Sequence, residues 1–478
     1  MIAAAPEPTT ALDPAFLAAF RRGRLTETQA DAFLQRDPIE LRFLLLQLSA
    51  AIADASASGP HTPSSALPPS AKPIPKRRPK KPGGQPGHEG HCRPAPARID
   101  RTVVHELPPC PCCGSTLADG KSPRTRTIED IPENLHVEAV EHIIPRGYCK
   151  TCHKQIEAKV LDALPNASIG NRAAVLTTWL HYGLGTTTSQ VVEVLNAHLQ
   201  VPLSAGGLTD IWHRMADIFQ PWYDAIQRLC LDAPVLHMDE TSWRTGGRNG
   251  WLWCATHGDV TYYWIHTSRG HDALEGFFVE EFSGVLVTDF WSAYDAVARY
   301  QQKCWPHLLR ELKDVDAKSD SEEWRGFSKT LKRIYADGIR LKLARDALGE
   351  NAFDSRVSAL HRRLLDLALV DWTQADTRRL AKRLSTYGES LLRFVEQHEV
   401  PADNNRAERE IRPVVLMRKA SYGSVSDRGS ATRSILMSIY RTLKQRGVDV
   451  LSATESALRA WIATGKLPPL PSQKTAAG

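Results

Sequence analysis

Between residues 232 and 310 the chain carries strand-length apolar segments, and two of them end in aspartate. This pattern constrains the fold most, because such strands must pair into one sheet whose faces are covered. Val235-Leu236-His237-Met238-Asp239 is the first, and Gly284-Val285-Leu286-Val287-Thr288-Asp289 the second. Residues 251–256 and 261–266 predict a hairpin about Gly258-Asp259, and Lys303-Cys304-Trp305 predicts a fifth, short strand. Carboxylates at neighbouring strand ends can share hard cations such as magnesium. Strand-end aspartates also serve as turn formers, so Asp239 and Asp289 alone carry either meaning. A two-metal site needs a third acidic group, and its natural place is a helix after the last strand.

At 478 residues the chain is too long for one ordinary core, and at roughly 100–200 residues per unit it predicts three or four folded units. Residues 1–55 predict an N-terminal helical segment, with Leu41, Leu44, Leu45, Leu48 and Ile52 at helical spacing. That face suits either a cap on a core or a short self-association helix. Residues 56–98 form a linker that holds eleven of the 31 prolines, a composition that cannot build a packed core. Within it Lys76, Arg77, Arg78, Lys80 and Lys81 make an extended cationic arm. Such an arm suits DNA phosphates or a minor groove, with a solvated tether as the alternative.

The net charge of +6 is modest, but its distribution is not even. Residues 72–101 hold nine lysines and arginines against two acidic residues, and residues 401–449 hold ten against five. The remainder of the chain is therefore acidic, and the two basic regions point to nucleic acid. No run of 18 apolar residues occurs, so no transmembrane helix is expected. Residues 1–12 lack a positive n-region and an apolar h-region, which predicts a cytoplasmic, nucleoid-associated protein.

Cys110 and Cys113 form one C-x-x-C pair, and Cys149 and Cys152 form another. Two such knuckles offer four thiolates to one tetrahedral zinc, which makes residues 99–162 a candidate zinc ribbon with strands at 126–128 and 135–145. Cys112 is a competing thiol, and a redox dithiol is the alternative reading. Residues 163–230 predict helices at 173–182, 189–199 and 204–219, with Ser204 as an N-cap. They fit a helix-turn-helix DNA-binding region and an ordinary helical spacer equally well. Residues 311–400 predict a helical bundle: Leu380, Leu384, Tyr387, Leu391 and Val395 step by four and three. Residues 401–465 return to mixed structure with a closing helix at 453–462, and 466–478 is a tail. Asp403 or Asn404 predicts the cap of a helix whose first turns hold Glu408, with Arg409 and Arg412 on one face. A solvated charged helix reads the same way.

Taken in order, these motifs resemble the insertion sequence 66 family of transposases. The resemblance rests on Gly83-Gly84-Gln85-Pro86-Gly87-His88-Glu89-Gly90-His91, the paired C-x-x-C knuckles and Leu236-His237-Met238-Asp239-Glu240-Thr241. It continues through Asp289 with Tyr294, Cys304-Trp305-Pro306-His307 with Arg310, and Asp403-Asn404-Asn405-Arg406-Ala407-Glu408-Arg409 with Arg412-Pro413 and Arg418-Lys419.

The resemblance implies a multidomain α+β chain: a zinc ribbon, a helical region, and an RNase H-like α/β catalytic domain with a helical insertion. The catalytic core would comprise 231–310 and 401–465, with 311–400 inserted between them. The resemblance further implies an Asp239, Asp289, Glu408 triad binding two magnesium or manganese ions, about 3.5–4 Å apart in such sites. It implies one structural zinc on Cys110, Cys113, Cys149 and Cys152, and DNA contacts from the arm and from Arg409, Arg412, Arg418 and Lys419. His307 and Arg310 would support the site. The expected activity is metal-dependent cleavage at element ends and strand transfer into target DNA. The expected partners are double-stranded DNA, further copies of the chain and accessory transposition proteins. A regulator without catalysis and a nuclease without strand transfer are the alternatives.

Overall fold

The structure, a computed structural model, describes residues 26, 28, 96–105, 111–115, 125–128 and 137–472. The apolar stripe expected within 1–55, the cationic arm at 76–81 and Cys110 lie outside the described residues. Among the described residues the architecture is mixed α+β, with eleven α-helices, a two-stranded hairpin and a five-stranded sheet.

The small hairpin pairs β1 (Arg146–Cys149) with β2 (Lys154–Glu157) in antiparallel register. The strands expected at 126–128 and 135–145 are absent from the described part of those segments. Val140 and Ile143 there are exposed and have no partner strand to cover them. Pairing falls instead directly around the second cysteine knuckle.

Three helical segments follow. Helix α1 (Asn171–Thr178) runs on into a π turn at Trp179–Gly183. Helix α2 (Thr188–Glu193) opens with a capping box between Thr187 and Gln190 and also ends in a π turn, Val194–His198. Helix α3 (Ala205–Leu231) starts at Ser204, whose hydroxyl accepts the Gly207 N–H at 3.1 Å. It continues past Pro221, well beyond the expected end at 219, because its apolar face stays buried from Leu208 to Cys230.

The sheet comprises β3 (Val235–Thr245), β4 (Arg248–His257), β5 (Val260–His266), β6 (Phe282–Thr288) and β7 (Ala298–Lys303). Their order is β5-β4-β3-β6-β7; β3, β4 and β5 are antiparallel, while β6 runs parallel to both β3 and β7. Gly258 turns the hairpin in the left-handed region at φ +51°. A short helix, α4 (Asp272–Glu275), lies between β5 and β6. The fifth strand comes earlier than the sequence suggested. It ends at Lys303, and Trp305 begins a helix, as Pro306 in a first helical turn favours.

Period-two alternation sends neighbouring residues to different cores. Leu236, Met238 and Leu286 enter a large core shared with α1, α3, α9 (Asn405–Ser421), α10 (Asp427–Gln445) and α11 (Val450–Thr464). Val235, Val285 and Val287 enter a second core built with the inserted helices. These are α5 (Trp305–Asp316), α6 (Glu322–Leu343), α7 (Glu350–Leu369) and α8 (Ala375–Glu396). Leu380, Leu384, Leu391 and Val395, the periodic residues of the sequence, are buried in it together with Leu331 and Ile334. Helix α10 also covers the outer edge of β5: Ser438 accepts the Tyr263 N–H at 2.8 Å and Thr442 accepts the Thr261 N–H at 3.1 Å. An otherwise open sheet edge is thereby satisfied.

Candidate active site

The parallel register pairs Val235 with Val285 and His237 with Val287. Carried two residues further, it sets Asp239 abreast of Asp289 and on the same face of the sheet. Both face the side of the inserted helices, as Val235, Val285 and Val287 do. Asp239 is partly buried and accepts the Glu240 N–H at 2.9 Å. Asp289 is buried one residue past β6 and accepts the Trp291 N–H at 2.8 Å, the local bond that ends the strand.

Glu408 reaches this place from α9 through an anchor at Asn404. Asn404 is buried; its amide donates to the Met238 carbonyl at 2.7 Å, and its oxygen pairs with His237 Nδ1 at 3.2 Å. Its backbone N–H points to the Cys304 sulfur at 3.3 Å. Asn404 is the N-cap residue by position, yet its side chain makes no cap bond, since it is committed to β3. Asp403 accepts the Asn405 N–H at 3.0 Å instead. The Glu408 N–H then makes the first helical bond, to the Asn404 carbonyl at 3.1 Å.

The charges of Asp289 and Glu408 both reach Asp239. The Asp239 carboxyl is held well above the usual carboxylate range, first by burial and then by the charges of Glu240, Asp289 and Glu408. Glu408 Oε1 lies 3.8 Å from His307 Nδ1, and both atoms are buried without a hydrogen-bond partner. Burial pushes the His307 imidazole below its ordinary value, against the pull of Asp289 and Glu408. Cys304, His307 and Glu408 each offer one ligand atom within 4.8 Å of the others. Arg310, half-buried on the same helix, adds a positive charge beside His307. Mutually repelling carboxylates with an orphaned buried oxygen are a donor set that fits a divalent cation.

The near neighbours have other work. His237 shares the Asp239 face but is bonded to Asn404. Glu240 turns to the opposite face, where it pairs with Arg269 at 2.7 Å and accepts the Tyr294 hydroxyl at 2.5 Å. Tyr294 is thus a buried structural phenol. Glu410 is buried against Arg441. Arg409, Arg412 and Lys419 are exposed along α9, while Arg418 is half-buried and bonded to Thr241 at 2.9 Å and the Ser242 carbonyl at 2.7 Å. Arg412 and Lys419 follow Glu408 by four and eleven positions, so the three share one stripe of the helix.

At the small hairpin, Cys149 closes β1 and its sulfur faces the Cys152 N–H at 3.4 Å. The N–H groups of Cys152 and Thr151 lower the Cys149 thiol, which favours the thiolate that a metal takes. Cys113 and Cys112 are described, while the fourth expected ligand, Cys110, is not. The places of Cys304 and Asn404 in the site have no local signature in the sequence, although both residues stand inside the motifs around His307 and Glu408.

No described helix is long and apolar enough to cross a membrane. The family model described as Transposase IS66 family matches residues 167–432, a span that contains Asp239, Asp289 and Glu408. Uncharacterized protein y4jD of Sinorhizobium fredii (strain NBRC 101917 / NGR234) is 24% identical over 396 residues, covering 74% of each chain. Uncharacterized protein y4hP of the same strain is 21% identical over 416 residues, covering 78% of this chain and 72% of its own. The family match spans more than half of the sequence and takes in both halves of the sheet-and-helix site, so this chain belongs to the IS66 family of transposases.

Proposed function

We propose that this transposase cuts DNA at the ends of its insertion sequence and joins the released 3′ hydroxyls to target DNA. Asp239, Asp289 and Glu408 would hold two magnesium or manganese ions. One observation carries the reading: the parallel register sets Asp239 abreast of Asp289, and the Asn404–Met238 bond holds the helix of Glu408 to the same strand, although Asp289 is 50 positions from Asp239 and Glu408 a further 119. Such ions, when bound, supply Lewis acidity at the scissile phosphate and at the attacking oxygen. The chain's own residues orient and neutralise. Asn404 holds α9 to β3, His307 shields the inner side of Glu408, and Arg412 and Lys419 take flanking phosphates. The order of three antiparallel strands followed by two parallel ones supports an RNase H-like core.

Zinc on Cys110, Cys113, Cys149 and Cys152 would fix the ribbon, and Lys76, Arg77, Arg78, Lys80 and Lys81 would follow DNA from the arm. Two ends must be held together for joining, so the working form is a homo-oligomer on DNA, with accessory transposition proteins. The test uses a plasmid carrying the element's ends, target DNA and magnesium. Joined products should be lost in Asp289→Asn and Glu408→Gln, with DNA binding retained. Joining by Glu408→Gln at the wild-type rate would overturn the triad. Nicked DNA without joined products would mark a nuclease, and binding alone a regulator.

A further inference from the structure

A cleft of about 590 Å³ opens between the far end of β3 and the last turn of α9. Tyr422 and the half-buried Trp251 supply its accessible rings, with the fully buried Trp243 behind them, and Arg244, Arg418 and Lys419 supply its charge. No acidic residue lines it. We propose that it is a stacking subsite for one unpaired nucleotide of the DNA strand being processed, with the adjoining phosphates on Arg244 and Lys419. The proposal rests on the DNA-processing reading above.

The aromatic wall is held in place. Tyr422 ends α9 in the left-handed region at φ +60°, a conformation that bulky residues rarely adopt, and its phenol is 80% exposed. Its N–H bonds the Arg418 carbonyl at 2.8 Å. Two residues on, the Ser424 N–H bonds the Arg244 carbonyl at 2.8 Å, and the Ser424 carbonyl accepts the Gly246 N–H at 2.9 Å. Trp243 Nε1 donates to the Ser424 hydroxyl at 3.1 Å. Gly423 between them has φ +131°, and a Cβ there would overlap the Arg244 carbonyl. Arg269 lies 4.6 Å over the Trp251 ring and 4.0 Å over Trp291. An exposed tyrosine on so fixed a backbone is preorganised to meet a flat ligand.

The cleft and the carboxylates lie on the same two elements. From Asp239 to Trp243 is four strand residues, about 13 Å, and from Glu408 to Arg418 is ten helical residues, about 15 Å. The Asn404–Met238 and Arg418–Ser242 bonds show α9 and β3 running side by side in the same direction. One DNA strand advances at least about 3.4 Å per nucleotide, so the cleft lies roughly two to four nucleotides from the carboxylates. Ring faces at a cleft along the strand stack most readily on an unpaired base, and cations beside them select a polyanion.

The test uses the full chain without divalent metal, so that no cutting occurs. The probes are a blunt duplex and the same duplex with a short 3′ single-stranded extension carrying 2-aminopurine. Wild type should prefer the extended probe and quench its fluorescence. Tyr422→Ala should lose the quench and about ten-fold in affinity for the extended probe, with the blunt duplex unaffected. Tyr422→Phe should retain both. Equal weakening on both probes, or an undiminished quench in Tyr422→Ala, would overturn the subsite. Equal wild-type binding to both probes without quenching removes the subsite and leaves the DNA reading intact. Binding to neither probe removes the DNA reading itself.

Discussion

Asn404→Ala isolates the device that brings the third carboxylate to the sheet. The substitution removes both side-chain bonds to β3 and strands two buried groups, the Met238 carbonyl and His237 Nδ1. An orphaned buried partner costs about 1–3 kcal/mol, so the variant should lose about 3 kcal/mol of stability. The backbone bond to Cys304 remains, so α9 should loosen rather than detach. Displacement of a reacting group by about 1 Å costs on the order of a hundred-fold in rate. Joining should therefore fall by about that factor, and the magnesium concentration for half-maximal rate should rise. Asn404→Asp is a stricter control. It keeps an acceptor for His237 but sets a carboxylate against the Met238 carbonyl, so it should be no better than alanine. Urea unfolding and the initial rate of plasmid joining give the two readouts. An Asn404→Ala protein with wild-type unfolding and wild-type joining would refute the anchor.

Burial, then the charge of Arg433, depresses His181 to about 3, and its Nε2 accepts from Arg433 at 2.8 Å as a neutral ring. Between about pH 6.5 and about 3 the unfolded chain takes up a proton that the folded chain refuses. Stability should therefore fall with falling pH by up to about 1.4 kcal/mol per unit from this group. His181→Gln should show a shallower dependence in urea unfolding between about pH 7 and about pH 5; an unchanged slope would exclude the assignment. Gly423→Ala should lower the melting temperature and weaken binding of the extended probe, because the added methyl meets the Arg244 carbonyl. Glu240→Ala should cost about 3 kcal/mol by leaving Arg269 without its buried carboxylate; equal melting temperatures would contradict this. Metal analysis should find about one zinc per chain, lost when Cys149 and Cys152 are both serine.

Asp239 and Asp289 were legible because apolar strands with a terminal carboxylate follow a period that sequence shows directly. The parallel pairing that sets them abreast was not legible, since register is set by contacts between segments. Glu408 stood out only through the family motif, because a glutamate in a first helical turn reads equally as a solvated charge. Cys304-Trp305 looked like a strand by apolar content, while Pro306 marked a helix start and the packing decided for the helix. Asn404 read as a simple cap, and only tertiary contact shows it bridging to β3. The buried Arg433 sits on His181 from 252 positions away, with its guanidinium 5.2 Å over Tyr182 and 5.0 Å over Trp243. Nothing local to either residue announces that pairing.

The 119 positions between Asp289 and Glu408 look like a heavy entropic burden for the proposed site, which draws on both. The chain reduces it by closing the insertion at its neck. The Trp305 N–H bonds the Ala402 carbonyl at 3.0 Å, the Asn404 N–H meets the Cys304 sulfur at 3.3 Å, and the Cys304 N–H bonds the Thr288 carbonyl at 2.9 Å. The inserted helices thus leave and re-enter the sheet at one point beside Asp289. They carry their own core of Trp324, Phe327, Leu331, Leu380, Leu384 and Phe394, and that core is continuous with Val285 and Val287 of β6. Loop closure cost grows only slowly with length, and here it is met by folded helices rather than by a flexible loop. From the standpoint of the carboxylates, α9 follows β7 almost directly. Because the first inserted helix bears His307, and the segment after the last returns beside it through the Ala402–Trp305 and Asn404–Cys304 bonds, the insertion also supplies part of the wall around Glu408. Its packing and the position of the third carboxylate are therefore one structural problem, which the Cys304–Asn404 neck solves.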